Sequence, residues 1–411
     1  MWQELQATPR RPPERDIEIT DVQVVGLNGN PTADGGHHTW GIVRLETDTE
    51  HAGIGETFRG DFPLDPVTKM AETIVGMNPL DPERIAETLD RTYPPTSGSI
   101  GQAAIAGIEL ACWDLKGKVL DLPVYELLGG KYRDEITLYS DSEALAGDAP
   151  GIDLDAKYTP EAYAAAAREV IDEGFQALKF DLDVPTPGIP DEDRASRRLS
   201  EPGIDHKVAL VEAVREAVGD DVDLGMDLHW SYTVETAVRL GKRLEPYDLT
   251  FLEDPVHPDK LEAQHRARRD IDIPILTGEN LTSANEFSQA LGADILDIAA
   301  PDVGMCGGLA ELRRIAAVCD NYGVPLAPHN LGSPVATVAG AHLGASIQNF
   351  YSLEFRGGDA PWWNEITRRT GEDGPILEAG RITVPEGPGL GIEFTSAVEE
   401  YVQDGFENVL T

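Results

Sequence analysis

Three short apolar segments, each ending in a carboxylate, decide the fold of this chain: DLGMD at residues 223–227, TFLE at 250–253 and PILTGE at 274–279. Apolar runs of this length, bounded by turn residues, are typical of strands buried on both faces. The carboxylates stand at equivalent places, roughly one strand-and-helix unit apart. They are Asp227, Glu253 and Glu279.

The same alternation extends in both directions along the chain. Strand-like segments recur about eight times between residues 136 and 355, with amphipathic helical stretches between them. Repeated units of this kind predict a parallel sheet wrapped by helices, and eight of them predict a closed (β/α)₈ barrel. Polar residues end the next three segments at a similar spacing: Asp302, His329 and Glu354. Because barrel strands converge at their carboxyl ends, we expect all six side chains to meet on one face.

The first third of the chain has a different pattern. IEITDVQVVGL at residues 17–27 alternates like a strand, two further strand patterns follow by residue 58, and helical patterns cover most of 65–120. We therefore predict an α+β domain over residues 1–133, the barrel over 134–378, and a C-terminal segment, 379–411, that returns to the first domain.

The composition excludes several classes of protein. No stretch approaches the ~20 apolar residues of a membrane span, and the N-terminus lacks the apolar core of a secretory signal, so we expect a cytoplasmic protein. Asp and Glu number 73 against 33 Lys and Arg, a formal net charge of -40. This charge repels nucleic acid and anionic membranes, which leaves a small molecule as the expected partner.

Three carboxylates that point into one barrel mouth repel each other unless a cation neutralises them. Hard oxygen ligands of this kind select Mg²⁺ or Mn²⁺. The alternative is that these acidic residues are solvated ends of strands in a very acidic protein. Three on consecutive units, each after an apolar run, favour a metal site at Asp227, Glu253 and Glu279.

The two following positions suggest a proton-transfer pair. A carboxylate at Asp302 that binds one imidazole nitrogen of His329 would fix the tautomer and raise the basicity of the other nitrogen. His229 lies two residues after Asp227, so strand alternation places both on one side and makes His229 a candidate acid. Lys179 is a candidate for stabilising negative charge on a substrate, and Asp181 on the same face could pair with it.

Together these segments resemble the enolase superfamily, and within it the mandelate racemase-like subgroup, nearly end to end. AAIAGIELACWDLKGKVLDLPVYELLGG at 103–130 is similar to the family's junction between capping domain and barrel. LEDP and TGEN contain the matching metal ligands Glu253 and Glu279. PDVGMCGG and APHN contain the residues of its His-Asp dyad, and SLEF contains its last-strand glutamate, Glu354.

The resemblance implies a first chemical step. A substrate carboxylate binds Mg²⁺, a base removes the proton from the adjacent carbon, and the metal with cationic groups stabilises the enediolate. Racemases of the subgroup carry Lys-x-Lys on the second barrel strand, where this chain has Lys179 and Asp181. The pair Asp227 and His229 instead resembles the Asp-x-His arrangement of sugar-acid dehydratases.

The resemblance thus implies a dehydratase that converts an aldonate, with D-xylonate and D-gluconate leading, to a 2-keto-3-deoxy acid. His329 would take the C2 proton and His229 would protonate the C3 hydroxyl, while Lys179 and Glu354 would contact the substrate carboxylate. Lys179 or Asp181 as the base remains an alternative. The expected substrate-binding residues are Asp181, His37, His38 and Trp230. A dimer or octamer is implied, and a racemase or epimerase is the rival function.

The charge also predicts a dependence on salt. At ~1 M salt the Debye length falls to roughly 3 Å, which screens the self-repulsion of a chain with 73 acidic residues. We expect dialysis from about 2 M to about 0.1 M KCl to unfold the protein, as measured by circular dichroism. Equal unfolding midpoints at the two salt concentrations would contradict adaptation to concentrated salt.

Overall fold

The computed structural model describes residues 16–28, 39–58, 60, 64–93, 98–142, 154–189, 197–257, 259–356 and 362–411. Among the helices of these residues, none combines the length and the apolar character that a membrane span requires. The elements form an antiparallel sheet with its helices, a closed barrel, and a C-terminal segment that touches both.

The N-terminal unit is a three-stranded antiparallel sheet covered by helices. Its elements are β1 (Ile19–Asn28), β2 (Thr39–Thr47), β3 (Gly53–Thr57), α1 (Leu64–Ile74), α2 (Pro82–Thr92), α3 (Gly98–Leu120) and α4 (Val124–Leu127). The long helix α3 lies directly on β3 because glycines leave room for its backbone. A Cβ atom at Gly55 would stand only 2.1 Å from the carbonyl oxygen of Gly107.

The barrel is built from parallel strands. They are β4 (Glu135–Ser142), β5 (Ala177–Asp181), β6 (Asp223–Asp227), β7 (Phe251–Glu253), β8 (Ile275–Thr277), β9 (Ile298–Ala299) and β10 (Leu353–Phe355). Leu326 supplies the seventh position, with parallel bridges to Ala299 and Phe350. β10 pairs in parallel with β4, which closes the ring. The predicted eight-stranded barrel is confirmed.

Helices follow the strands on the outside of the barrel. They are α5 (Leu154–Lys157), α6 (Pro160–Asp172), α7 (Glu201–Val218), α8 (Val234–Leu244), α9 (Leu261–Asp270), α10 (Ala284–Gly292), α11 (Leu309–Asn321) and α12 (Pro334–Ser346). A Ser or Thr before five of them accepts a hydrogen bond from a first-turn amide, which satisfies a donor that the helix cannot pair. Because the barrel strands are parallel, the strand-to-helix turns all lie at one end of the barrel.

Apolar side chains fill the barrel below that end. Tyr139 and Phe251 meet edge to face with ring centroids 5.6 Å apart. Leu276, Ile298 and small residues complete the cluster. The interior is thus a packed core, and polar chemistry is confined to the mouth.

After β10 the described chain contains short strands rather than a further α-helix. They are β11 (Thr367–Arg369), β12 (Leu377–Glu378), β13 (Arg381–Thr383) and β14 (Ile392–Phe394), followed by a 3₁₀ helix at Ser396–Tyr401. β13 adds antiparallel to barrel strand β4. Further on, the Gln403 amide donates to the Gly26 carbonyl at 2.9 Å, so the segment also binds the first strand of the chain.

A buried carboxylate on α3 caps a barrel helix. Glu109 accepts hydrogen bonds from the backbone N–H groups of Leu309 and Ala310 at 2.9 and 3.0 Å, and from Trp113 Nε1 at 2.6 Å. Gly308 precedes α11 and offers no capping side chain, and a Cβ there would collide with Glu109. The N-terminal unit therefore supplies the cap that the barrel helix lacks.

Glu56 on β3 makes a second contact of this type. It accepts from the Ser333 N–H at 2.7 Å, from Ser333 Oγ at 2.6 Å and from the Ala336 N–H at 2.8 Å, at the start of α12. These residues follow His329 closely in sequence. The N-terminal unit thereby fixes the loop that leaves this end of the barrel.

The Glu109 contact predicts a pH dependence of stability. Burial raises the pKa of the Glu109 carboxyl from its ordinary 4.5 to about 7, although its hydrogen bonds partly offset this. The folded state then binds the proton more tightly than the unfolded state. The stability that Glu109 contributes is complete below about pH 4.5 and is lost as the pH rises through about 7.

We therefore expect the free energy of unfolding of the wild type, relative to Glu109→Gln, to increase by about 1 kcal/mol from about pH 8 to about pH 6. Urea unfolding at constant salt measures this difference. Asp121→Asn, an exposed residue just after α3, is the matched control. Parallel curves for wild type and Glu109→Gln would contradict the assignment.

Candidate active site

Ionisable side chains crowd the carboxyl end of the barrel strands. Strand register places Asp181 beside Asp227, and Asp227 beside Glu253. Asp227 and Glu253 are the last residues of β6 and β7, and both are almost fully buried. The equal spacing in sequence thus becomes proximity in space.

The Lys179 ammonium group lies at the centre of these carboxylates. Its Nζ is 2.6 Å from Glu354 Oε1, 2.8 Å from Glu253 Oε2, 3.2 Å from Asp227 Oδ2 and 3.7 Å from Asp141 Oδ1. Burial alone would lower the pKa of Lys179, but these carboxylates, Glu253 foremost, raise it well above its ordinary value. Lys179 is therefore a fixed positive charge.

One ammonium group does not balance the carboxylates around it. Burial raises the pKa of Glu253 well above its ordinary value, and Lys179 offsets this only in part. Glu253 Oε1 is buried and has no hydrogen-bond partner among the described residues. An unpaired anionic oxygen in the interior is costly unless a cation meets it. The donor set of Asp227, Glu253 and Glu279 therefore fits a divalent cation with a preference for oxygen.

His329 and Asp302 form a short pair. The His329 Nδ1 to Asp302 Oδ2 distance is 2.6 Å, and Nε2 lies 3.3 Å from Glu279 Oε2. Burial lowers the pKa of His329, but Glu279 and the other carboxylates raise it more, to about 10. The Phe58 ring lies 6.3 Å from the imidazole, so the N-terminal unit covers this side of the mouth.

His229 stands on the opposite side of the ring. It follows the third barrel strand and His329 follows the seventh, so four strand positions separate them in a closed ring of eight. His229 Nε2 is 3.4 Å from Asp227 Oδ2, and Nδ1 is 3.1 Å from Asp183 Oδ1. Burial lowers the pKa of His229, but Asp227 and the other carboxylates raise it to about 12.

The expected reason for this placement of His229 was wrong. β6 ends at Asp227, so strand alternation does not orient His229. Instead His229 and Trp230 both adopt left-handed backbone angles, with φ of 39° and 46°. The Asp227 carboxylate accepts the His229 backbone N–H at 2.7 Å, which holds the turn.

The remaining predicted residues have different surroundings. Asp181 does not share the central position of Lys179 and instead lies 3.9 Å from His229 Nδ1. The Trp230 ring stands perpendicular to the His229 ring, with centroids 6.1 Å apart. His37 and His38 lie outside the described residues. Cys112, Cys306 and Cys319 are buried free thiols.

Three charged residues near the mouth were missed from sequence. Asp141 contacts Lys179, Arg356 Nη1 lies 3.5 Å from Asp141 Oδ2, and Asp183 contacts His229. Asp183 and Arg356 each stand two residues beyond a predicted site residue, Asp181 and Glu354. Asp183 and Arg356 lie beyond the last residues of β5 and β10, so strand alternation gave no signal for either.

The ligand atoms of Asp181, Asp183 and His229 also lie within 4.8 Å of one another. Such a trio resembles a cation site in geometry. In this trio, however, Ser231 Oγ already donates to Asp183 Oδ2 at 3.0 Å, and His229 occupies the other oxygen. The trio is therefore internally hydrogen-bonded, whereas Glu253 has a buried oxygen without a partner.

Comparison with known proteins identifies two families in this chain. Residues 33–129 match the mandelate racemase / muconate lactonizing enzyme N-terminal domain. Residues 162–398 match the family described as enolase C-terminal domain-like. Both families are those that the sequence motifs resembled.

Individual relatives agree with this result. A D-xylonate dehydratase from Haloferax volcanii is 39% identical over 95% of this chain and 90% of its own length. A D-gluconate dehydratase from Thermoproteus tenax is 32% identical over 87% of this chain and 69% of its own. The crystal structure of a mandelate racemase/muconate lactonizing enzyme-like protein from Rubrobacter xylanophilus has a TM-score of 0.87 and 34% identity, covering 95% of this chain and 99% of that one. The chain belongs to the enolase superfamily, within its mandelate racemase/muconate lactonizing enzyme branch.

Proposed function

We propose that the protein is a Mg²⁺-dependent dehydratase that removes water from an aldonate, D-xylonate first and D-gluconate next, to give a 2-keto-3-deoxy acid. The observation that carries the proposal is the pair of imidazoles on opposite sides of the mouth, His229 and His329, above a floor of carboxylates and one ammonium group. Removal of a proton and of a hydroxyl from adjacent carbons needs one base and one acid.

Asp227, Glu253 and Glu279 would hold the cation, with Mn²⁺ as a substitute for Mg²⁺. When bound, the cation supplies a Lewis acid that binds the substrate carboxylate and stabilises negative charge on it. The buried, unpartnered Oε1 of Glu253 supports this assignment. Lys179 adds a second positive charge within reach of the same carboxylate.

His329 acts as the base, because a cation held by Glu279 and its neighbours would offset the carboxylate charge that raises the pKa of the imidazole. Asp302 holds its Nδ1–H at 2.6 Å, so Nε2 faces the mouth and takes the C2 proton. Lys179 is enclosed by four carboxylates and stays an ammonium group, which supports His329 over Lys179 in this role. Glu354 accepts from the Asn330 N–H at 2.9 Å and thereby fixes the backbone next to the base.

His229 acts as the acid. Loss of the C2 proton leaves an enediolate. Its electron pair then forms the C2=C3 double bond as the C3–O bond breaks, and His229 gives its proton to the departing hydroxyl, which leaves as water. The resulting enol gains a proton at C3, loses the proton of its C2 hydroxyl and becomes the 2-keto-3-deoxy acid. Asp181, Trp230, His37 and His38 would contact the rest of the sugar chain.

The substrate class is supported by the relatives. A D-xylonate dehydratase covers 95% of this chain at 39% identity, and a D-gluconate dehydratase covers 87% at 32%. A racemase or epimerase needs a second base opposite His329. The second strand carries Asp181 where the racemases that this chain resembles carry a second lysine, which favours dehydration.

A panel of aldonates tests the proposal. With Mg²⁺ in about 2 M KCl, we expect D-xylonate to give a keto acid that semicarbazide traps, and D-gluconate to react more slowly. Glu399→Gln, at an exposed position of the C-terminal 3₁₀ helix, is the control for expression and folding. Failure to convert any aldonate would refute the dehydratase, and deuterium uptake at C2 of recovered substrate without keto acid would indicate the rival isomerase.

A further inference from the structure

The two histidines of the mouth have matching surroundings. Each directs Nδ1 to an aspartate outside the proposed ligand set, Asp302 for His329 and Asp183 for His229. Each directs Nε2 to a proposed ligand, at 3.3 Å from Glu279 and 3.4 Å from Asp227. The site therefore contains two His-Asp pairs that face one another.

Asp183 is itself held in place. Its Oδ2 accepts from Ser231 Oγ at 3.0 Å, and Ser231 Oγ also lies 3.3 Å from the His229 carbonyl oxygen. The Asp183 carboxylate thus has one oxygen for the imidazole and one for the turn that carries it. Asp181 is further from Nδ1, at 3.9 Å against 3.1 Å for Asp183.

The backbone around His229 is held in place, but it does not set the orientation of the imidazole ring. Left-handed φ values at two consecutive residues without glycine are uncommon and cost free energy. Backbone hydrogen bonds hold this turn: Trp230 N–H to the Asp254 carbonyl at 2.7 Å and Ser231 N–H to the Leu228 carbonyl at 2.8 Å. They fix the His229 Cα but not the rotation of the ring, whose shortest side-chain contact is the one with Asp183 at 3.1 Å.

We propose that Asp183 is a positioning residue, which holds the His229 imidazole with Nδ1–H on Asp183 and Nε2 toward the leaving hydroxyl of the substrate. The inference rests on the proposed dehydratase function and deepens it. Asp183 acts through His229 and touches neither substrate nor metal. With Nδ1–H held by Asp183, Nε2 is the nitrogen left to exchange a proton with the substrate.

If His329 is the base and Asp183 orients the acid, a change at Asp183 should separate removal of the C2 proton from loss of the C3 hydroxyl. Without Asp183, His329 still removes the C2 proton, but the departing hydroxyl lacks a correctly oriented acid. In deuterated water, Asp183→Ala is expected to keep C2 deuterium uptake within about twofold of the wild type. Keto-acid formation is expected to fall by about 10² or more, the usual contribution of general acid catalysis.

Three further variants test this comparison of C2 exchange with keto-acid formation. His329→Asn is expected to lose both C2 exchange and keto-acid formation. Asp183→Asn, which preserves the shape of the side chain, guards against misfolding of the alanine variant and is expected to show the same separation in weaker form. Asp172→Asn, exposed at the end of α6, is the matched control and should behave as the wild type.

Two readouts do not depend on turnover. Affinity for Mn²⁺, measured by titration, is expected to be equal in the wild type and Asp183→Ala. Nitrogen-15 NMR of labelled histidines, with His229→Asn for assignment, is expected to show a hydrogen-bonded, slowly exchanging Nδ1–H on His229 in the wild type and a rapidly exchanging one in Asp183→Ala.

Several results would overturn the role of Asp183. They are an equal loss of C2 exchange and elimination, no loss of either, a weaker Mn²⁺ affinity, which would make Asp183 a ligand, or an unchanged Nδ1–H signal of His229. If wild-type protein converts no aldonate, the proposed function fails. The NMR result still decides in that case whether Asp183 orients His229.

Discussion

The concentration of negative charge in the barrel mouth is the constraint on which the rest of the site depends. Lys179 Nζ lies within 4 Å of the carboxylates of Asp141, Asp227, Glu253 and Glu354, all of them buried. One ammonium group leaves a surplus of negative charge, and Glu253 retains an oxygen without a partner. A low-dielectric site makes this surplus costly, so under the proposed function it would favour the binding of a cation and then of an anionic substrate.

Buried carboxylates also join the N-terminal unit to the barrel. Each of them accepts hydrogen bonds from backbone N–H groups at the N-terminus of a barrel helix. Glu109 caps α11 and Glu56 caps α12, each with backbone N–H groups as partners. α12 begins shortly after His329, and Trp40 Nε1 donates to the Leu331 carbonyl between them at 3.2 Å. The N-terminal unit thus contributes to the position of the proposed base, which links folding of that unit to chemistry in the barrel.

The fold and most of the candidate site were predictable because they depend on periodicity. Strand patterns and spacing located the barrel and the residues at its mouth, and the helical patterns ended at residue 120, where α3 ends. The features that could not be predicted depend on local backbone geometry or on partners far away in sequence. The left-handed turn at His229 has no sequence pattern, Asp183 is one acid among 73, and Glu109 lies 200 residues from the helix that it caps.

The central claim is that the mouth carboxylates hold one divalent cation. Isothermal titration of metal-free protein with Mn²⁺ in about 2 M KCl tests it most directly, with Glu253→Gln as the variant and Glu378→Gln, an exposed glutamate, as the control. The account predicts one site per chain in the wild type and control, and an affinity at least about tenfold weaker in Glu253→Gln. Equal affinities in all three proteins, or no saturable binding in the wild type, would contradict it.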